Sequence, residues 1–209
     1  MRVLVLGAGG NTGGAVVQQA QAAGHQVTAF VHHAGDYDGQ AGVDVAEGDA
    51  TDADAVAAAV AGQDAVIDTI GGKTPYKSNT TLEADVARAV IAAMTRSGVR
   101  RVLVTSSVGV DDSLANGTLG LRVLLKTFLR GSTADKAAME GAVTASGLDW
   151  TIARPAILTD KPATGTVRTF DPATGEKARR ISRVDLAAWL VAQLDDSDNV
   201  RRAVTVATS

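Results

Sequence analysis

The residues best suited to chemistry stand near the start of the chain. Gly7, Gly10 and Gly13 are spaced three apart in "LGAGGNTGG", with a further glycine at Gly9 and with Asn11 and Thr12 inside the motif. They follow the apolar run Val3 to Leu6 and lead into small and apolar residues that read as a helix. At a strand-to-helix turn, the first glycine of such a set permits a tight turn. The second lets backbone approach a pyrophosphate, and the third lets the helix pack close to the strand. The helix start offers free N–H groups and the positive end of its dipole to phosphate oxygens. Asn11 and Thr12 stand where their side chains cap the helix or touch phosphate. The motif points to a bound dinucleotide because it sits at the first βα turn of an alternating chain; glycines alone would be weak evidence.

The end of the second strand bears on which dinucleotide. A site for NAD commonly has Asp or Glu about 20 residues past the loop, bonded to the ribose 2′-OH. Here "VTAFVHH" ends in His32 and His33, and Asp36 comes later, in a loop. No acid at the strand end repels a 2′-phosphate, and His32 can hydrogen-bond one or carry charge beside it. NADP(H) is therefore favoured over NAD(H). Neighbouring residues of an extended strand point to opposite faces, so the two histidines are not expected to share a metal ion, and no metal site is assigned.

The elements that must position these residues alternate along the chain. Short β-branched apolar runs, such as "DAVIDTI" and "RVLVTSS", are followed by alanine-rich helical stretches. Strands are predicted near residues 2–6, 25–31, 43–49, 64–70, 101–107, 149–155 and 203–207. Helices are predicted over 12–23, from Thr51 through Val60, over 79–97, over 118–146 with an interruption near Gly131, and from Ser182 onward. Thr51 with Asp54, and Ser182 with Asp185, have the spacing of helix caps. Leu82, Val86, Val90 and Met94 are four apart and form one helix face. This order predicts an α/β, doubly wound Rossmann fold with a mostly parallel sheet of about six or seven strands, as one domain over residues 1–209. Residues 156–181 are polar and irregular, with room for a short β-ribbon. They are expected to form a small C-terminal region on the substrate side, over the carboxyl ends of the strands.

Several stretches resemble the atypical short-chain dehydrogenase/reductases, in particular the small NAD(P)H-binding proteins that include the biliverdin-IXβ/flavin reductases and the NmrA-like proteins. The resemblance runs through "GAGGNTGGAVV", "EGDATDADAVAAAVAGQDAVIDTIGG", "VRRVLVTSSVG", "SGLDWTIARPAILTD" and "RRISRVDLAAWL". It implies that Gly7, Gly10, Asn11, Thr12 and Gly13 contact pyrophosphate. It places His32 where these proteins often carry an arginine for the 2′-phosphate. Asp49 and Ala50 would flank the adenine, and Ile70 and Gly71 would line its ribose. Thr105, Ser106 and Ser107 would end the fifth strand beneath the nicotinamide, with Pro155, Ala156 and Ile157 beside it.

The resemblance also implies a catalytic pair that this chain alters. Conventional members carry Tyr-x-x-x-Lys, with the tyrosine as proton donor. Lys136 fits the lysine, but Ser132 stands four residues earlier, and neither Tyr37 nor Tyr76 has a lysine four residues on. A simple ketone needs a proton as hydride arrives, because an alkoxide is a poor product at neutral pH. A flavin or quinone takes hydride into a delocalised system whose anion is tolerable. The expected activity is thus NAD(P)H-dependent hydride transfer to a small, flat conjugated acceptor, with Ser107 and Lys136 as catalytic residues. The alternatives are a non-catalytic NAD(P)-binding sensor, as in NmrA-like regulators, and a nucleotide-sugar epimerase-like enzyme, for which 209 residues leave little room. The basic amphipathic stretch "LGLRVLLKTFLRG" is expected to form one wall of the substrate cleft or a partner contact. Phe128, Tyr76, Phe170 and Trp150 are the aromatic residues available for stacking. Arg154 reads as a buried ion-pair partner more readily than as a ligand.

Composition narrows the setting. The chain is 45% hydrophobic and 21% charged, with a formal charge of −3 and no cysteine. That balance suits a globular protein, rules out disulfides and thiolate metal sites, and gives no reason to expect nucleic acid or a membrane as partner. No apolar stretch reaches the length of a membrane span or of a signal peptide's hydrophobic region. A cytoplasmic monomer or homodimer is the expectation.

Overall fold

Strands form where aliphatic and β-branched residues run together, and they are buried on both faces. In β1 (Arg2–Leu6), Val3, Leu4, Val5 and Leu6 are all fully buried. The computed structural model describes residues 1–72, 80–127 and 130–208. After β1 the chain forms α1 (Asn11–Ala22), β2 (Gln26–Val31), β3 (Asp44–Glu47), α2 (Ala53–Val60), β4 (Ala65–Asp68), α3 (Leu82–Ser97) and β5 (Arg101–Thr105). It continues through α4 (Leu119–Thr127), α5 (Arg130–Ala145), β6 (Asp149–Pro155), β7 (Ile157–Thr159), β8 (Val167–Phe170), β9 (Arg180–Ser182), α6 (Arg183–Ala192) and β10 (Arg202–Thr208).

The central sheet has the order β3-β2-β1-β4-β5-β6-β10-β8. Every pairing is parallel except that of β10 with β8. This is the doubly wound Rossmann fold. The eighth strand, β8, comes from the segment read as irregular and adds antiparallel to the edge. Its Phe170 packs into a small satellite core with Ala156, Ala178 and Ala207. In the same segment β7 pairs with β9 as a separate parallel ribbon. The ribbon matches the short β-ribbon expected in this segment, whereas the segment's polar composition hid β8, because an edge strand buries only part of one face.

Side-chain alternation builds the two helical layers. Leu4, Leu6, Val66, Val102 and Ile152 point to one face and meet Val56 of α2, Val86, Val90 and Met94 of α3, and Met139 of α5. Val3, Val5, Ile67 and Leu103 point to the other and meet Val16 and Val17 of α1 and Leu186 and Leu190 of α6. Period-2 strands sandwiched between helices can bury both faces in this way.

Helix ends differ from expectation in one place. The cap of α2 is Asp52, whose carboxylate accepts from the N–H groups of Asp54 and Ala55, while Thr51 instead donates its hydroxyl to Asp49. Ser182 caps α6 as expected, accepting from the Asp185 N–H at 3.0 Å. Helix α3 has no side-chain cap of its own at Thr81. Asp135 of α5 supplies one, accepting from the N–H groups of Glu83 at 3.1 Å and Ala84 at 3.0 Å.

Candidate functional site

The strand order reverses between β1 and β4, and in such sheets the crevice at the carboxyl ends of the two strands takes the ligand. Gly7 leaves β1 at φ +76°, and Gly10 closes the turn with its N–H on the Gly7 carbonyl at 2.9 Å. Thr69, just past β4, donates its hydroxyl to the Leu6 carbonyl at 2.8 Å and pins the two strand ends together. Gly13 packs directly over this junction. A Cβ there would lie 2.0 Å from the Gly7 oxygen and 2.8 Å from Thr69 Oγ1. The third glycine is thus required by close packing. The first N–H groups of α1 have no intrahelical acceptor, no side chain caps them, and its first turn holds no acid. Asn11, Thr12 and Gly13 therefore offer an open anion site.

On one side of the glycine turn is a cavity of about 500 Å³ lined by Gly7, Gly9, Gly10, His32, Asp49, Ala50 and Ile70. Asp49 and Ala50 thus line the cavity beside the glycine turn. Hydrogen bonds from the Thr51 N–H and hydroxyl hold the Asp49 carboxyl below its usual range, helped by the nearby His32. The histidine pair corrects the strand-based reading. β2 ends at Val31, so His32 and His33 lie beyond it and their rings come within 4.3 Å of each other. An acid also stands nearby after all: Glu47 of β3 accepts from the Ala34 N–H at 3.1 Å and lies 3.9 Å from His33. It reaches the end of β2 from the neighbouring strand. Tyr37 lines the same cavity and buries a hydroxyl with no partner among the described residues.

On the other side is a cleft of about 590 Å³ that brings together Gly10, Asn11, Thr12, Gly13, Ile70, Gly71, Thr105, Ser106 and Lys136. The hydroxyls of Thr105 and Ser106 are buried without a hydrogen-bond partner among the described residues. Orphaned buried hydroxyls are uncommon, and here two of them line a cleft that starts at an uncapped helix. The residues fit a dinucleotide.

A third cavity, of about 220 Å³, holds Ser107, Val108, Leu121, Ser132, Lys136, Pro155, Ala156 and Ile157. Lys136 lines both this cavity and the cleft, so the two share this residue. Leu121 of α4 is part of this cavity's wall. Of the aromatic candidates, Trp150 and Phe170 are core residues, while Phe128 and Tyr76 lie outside the described residues.

Lys136 is 15% exposed and pairs with Glu83 at 2.6 Å, and Glu83 is itself 3% exposed. Asp68, at the carboxyl end of β4, is fully buried, and that burial pushes its carboxyl up to about 7. The neighbouring Glu83 charge pushes the same way, while the Ile70 N–H at 2.9 Å and Lys136 oppose it. Arg183 opens α6, lines the dinucleotide cleft and pairs with the exposed Asp160 at 2.5 Å. Asp68, Glu83 and Arg183 were not singled out from the sequence. An acid inside the apolar run "AVID" was the available signal for Asp68; Glu83 and Arg183 carried no local sign. Arg154 is the ion-pair residue expected, bound to Glu140 at 2.6 Å and Asp112 at 2.7 Å.

Comparisons with known proteins agree with this geometry. An uncharacterized sugar epimerase from Bacillus subtilis, YhfK, is 33% identical over 150 residues, which is 71% of this chain and 64% of that protein's length. The chain therefore covers less than two thirds of that relative. ChuY from Escherichia coli O157:H7, an anaerobillin reductase, superimposes with a TM-score of 0.83 at 26% identity, over 100% of this chain and 97% of its own. A short-chain dehydrogenase/reductase from Veillonella parvula in complex with NADP shares the fold, with a TM-score of 0.79 at 16% identity, over 99% of this chain and 94% of its own. Residues 7–197 match the NAD(P)H-binding family, and with a glycine turn, an uncapped α1 and a cleft of fitting size behind that match, the chain belongs to this family.

Proposed function

We propose that the protein is an NAD(P)H-dependent reductase that passes hydride to a flat conjugated acceptor such as a flavin or quinone, with NADP(H) preferred. The observation that supports this reading is that Lys136 lines both the cleft beside the glycine turn and a small, largely apolar cavity, which Ser132 also lines. When bound, the nicotinamide supplies the hydride. The chain's own residues position and screen. The N-terminus of α1 holds pyrophosphate, and Thr105 and Ser106 present free hydroxyls to the cofactor's far end. Ser107 and Lys136 face the acceptor, while Val108, Leu121, Pro155, Ala156 and Ile157 keep water from the reacting faces. A conjugated acceptor suits this site because its reduced anion is delocalised and needs no phenol poised against an alkoxide. The name of the ChuY neighbour, an anaerobillin reductase, supports the reductase part of this reading.

The test is a cofactor titration followed by an acceptor panel. NADPH and NADH are each mixed with FMN, riboflavin and menadione, and the loss of reduced nicotinamide is followed by absorbance. The expected result is saturable turnover with at least one acceptor. Ser107→Ala and Lys136→Ala should each lower kcat about tenfold or more while leaving cofactor affinity near wild type. Tight cofactor binding without turnover of any acceptor would make the protein a dinucleotide sensor instead.

A further inference from the structure

Arg183 sits at the wrong end of its helix. It is the first residue of α6, where the dipole is positive, so a cation there does not help the helix form. Its side chain is only 24% exposed, and its one carboxylate partner among the described residues is Asp160, which is 75% exposed. An ion pair with so exposed a partner contributes little. The guanidinium donates from Nη1 to that carboxylate at 2.5 Å, while its Nε and Nη2 have no acceptor among the described residues. A partly buried charge with most of its donors unused calls for a second anion.

The cleft that Arg183 lines has a place for one. Helices α1 and α6 share a core through Val16, Val17, Leu186 and Leu190, and their first residues, Asn11 and Arg183, line the same cleft. No Asp or Glu is among that cleft's described lining residues, and its other cation, Lys136, is committed to the buried Glu83 at 2.6 Å. The N-terminus of α1 has no side-chain cap. The Ser106 hydroxyl, in a residue 4% exposed, lines the cleft without a partner among the described residues. The backbone that carries Arg183 is fixed. In the β7–β9 ribbon Thr159 is in register with Ser182, so Asp160 and Arg183 are the residues that follow on each strand. The Asp185 carboxylate accepts from the Ser182 hydroxyl at 2.8 Å and from the Thr164 and Gly165 N–H groups at 3.0 Å and 2.9 Å. Only the Arg183 side chain is left to re-aim.

We propose that Arg183 is a ligand of the dinucleotide's pyrophosphate, held by Asp160 until the cofactor arrives. The proposal rests on the dinucleotide reading of the cleft and is independent of hydride transfer. The N–H groups at the start of α1 take the pyrophosphate from one side, and the guanidinium closes on it from the α6 side. A guanidinium fork meets two phosphate oxygens at once. The exchange costs little, because the Asp160 carboxylate returns to water that it already largely faces. The α1 dipole offers only a partial positive charge to the diphosphate, and Arg183 adds a full one. The pyrophosphate is common to NADPH, NADH and ADP-ribose, so Arg183 strengthens the binding of all three without choosing between them.

The experiment is calorimetric titration of wild type, Arg183→Gln, Arg183→Lys and Asp160→Asn with NADPH, NADH and ADP-ribose, with thermal unfolding of each protein in the presence and absence of NADPH. Arg183→Gln should weaken all three ligands about tenfold or more, and Arg183→Lys, which keeps the charge but loses the fork, about threefold. Asp160→Asn removes the competing carboxylate and should tighten binding about twofold to threefold. Without cofactor, the Tm of Arg183→Gln should match or exceed that of wild type, because a cation has left a helix N-terminus, while the gain in Tm from NADPH shrinks. Affinities of Arg183→Gln within about twofold of wild type for all three ligands overturn the proposal. So does a loss confined to NADPH, which would make Arg183 a ligand of the 2′-phosphate, and so does weaker binding in Asp160→Asn, which would make the pair a structural tie. None of these readouts needs an acceptor, so they decide the role of Arg183 whether or not the protein turns one over.

Discussion

Gly13→Ala should damage both the fold and the cofactor site, while the same change one residue on should not. At Gly13 the new Cβ would lie 2.0 Å from the Gly7 oxygen and 2.6 Å from its carbonyl carbon. An ordinary contact is well beyond 3 Å, so α1 and β1 must part by about 1 Å, and the obstructing atoms are backbone that cannot rotate away. Overpacking of this kind costs about 1–3 kcal/mol, and a rigid backbone obstacle places it at the upper end. Alanine returns about 0.5–1 kcal/mol of helix propensity. The net loss is about 2 kcal/mol, or about 4–8 °C in Tm for a chain of this size. The same displacement pulls the α1 N–H groups off the pyrophosphate. Losing one or two charge-assisted hydrogen bonds, at about 1.5 kcal/mol each, weakens cofactor binding roughly tenfold to a hundredfold. At Gly14 the nearest atom to a new Cβ is the Ala8 oxygen at 3.6 Å, an ordinary contact. Gly14→Ala should therefore raise Tm by about 1–3 °C through propensity alone and leave affinity unchanged. Thermal unfolding and NADPH fluorescence titration of the two variants decide the matter. A Gly13→Ala protein with wild-type Tm and affinity would refute the close-packing argument.

Further outcomes follow from the same structure. His32→Arg should raise the NADPH-to-NADH affinity ratio about tenfold, since a guanidinium bonds a 2′-phosphate in two places; an unchanged ratio in paired titrations removes His32 from the subsite. Glu140→Ala strands the Arg154 guanidinium, whose side chain is 7% exposed, and should cost about 3 kcal/mol in urea unfolding, the exposed Asp112 being a weak substitute. Asp68 has a folded-state pKa raised to about 7 from 3.8. Its stabilising contribution is therefore complete below about pH 4 and lost as pH rises through 7. Relative to Asp68→Asn, wild type should lose up to about 4 kcal/mol across that window. Asp185 shifts the opposite way. Burial raises its carboxyl, but hydrogen bonds from the Thr164 and Gly165 N–H groups and from Ser182 outweigh this and hold it below the usual range. Its contribution is present above about pH 4 and lost on acidification, so Asp185→Asn should flatten the acid limb of a stability profile.

Much of this fold is legible locally, and the exceptions share a cause. The buried strands announce themselves because β1, β4 and β5 are apolar on both faces, and the glycine turn does so because Gly7 and Gly13 answer to sterics within a few residues of sequence. The end of β2 was harder. The sequence shows no acid there, yet Glu47 arrives beside Ala34 and His33 from the neighbouring strand. The α2 cap moved from Thr51 to Asp52 because Asp49 took the Thr51 hydroxyl. The α3 N-terminus is capped by Asp135, 51 and 52 positions away from the N–H groups it serves. Lys136 could be matched to a motif, but its partner Glu83 lies 53 residues off. Long-range polar pairs leave no spacing to read, and that is where the candidate site departs most from its sequence.

The account turns on hydride leaving NAD(P)H inside this protein for an acceptor seated beside Ser107 and Lys136. The direct measurement is a single turnover in which protein-bound NADPH is mixed rapidly with FMN or menadione, with protium or deuterium at the transferring C4 position. The account predicts decay of the bound nicotinamide well above the protein-free rate and slowed by deuterium, with both effects diminished in Ser107→Ala. Tightly bound NADPH that outlasts every acceptor at the protein-free rate would contradict it.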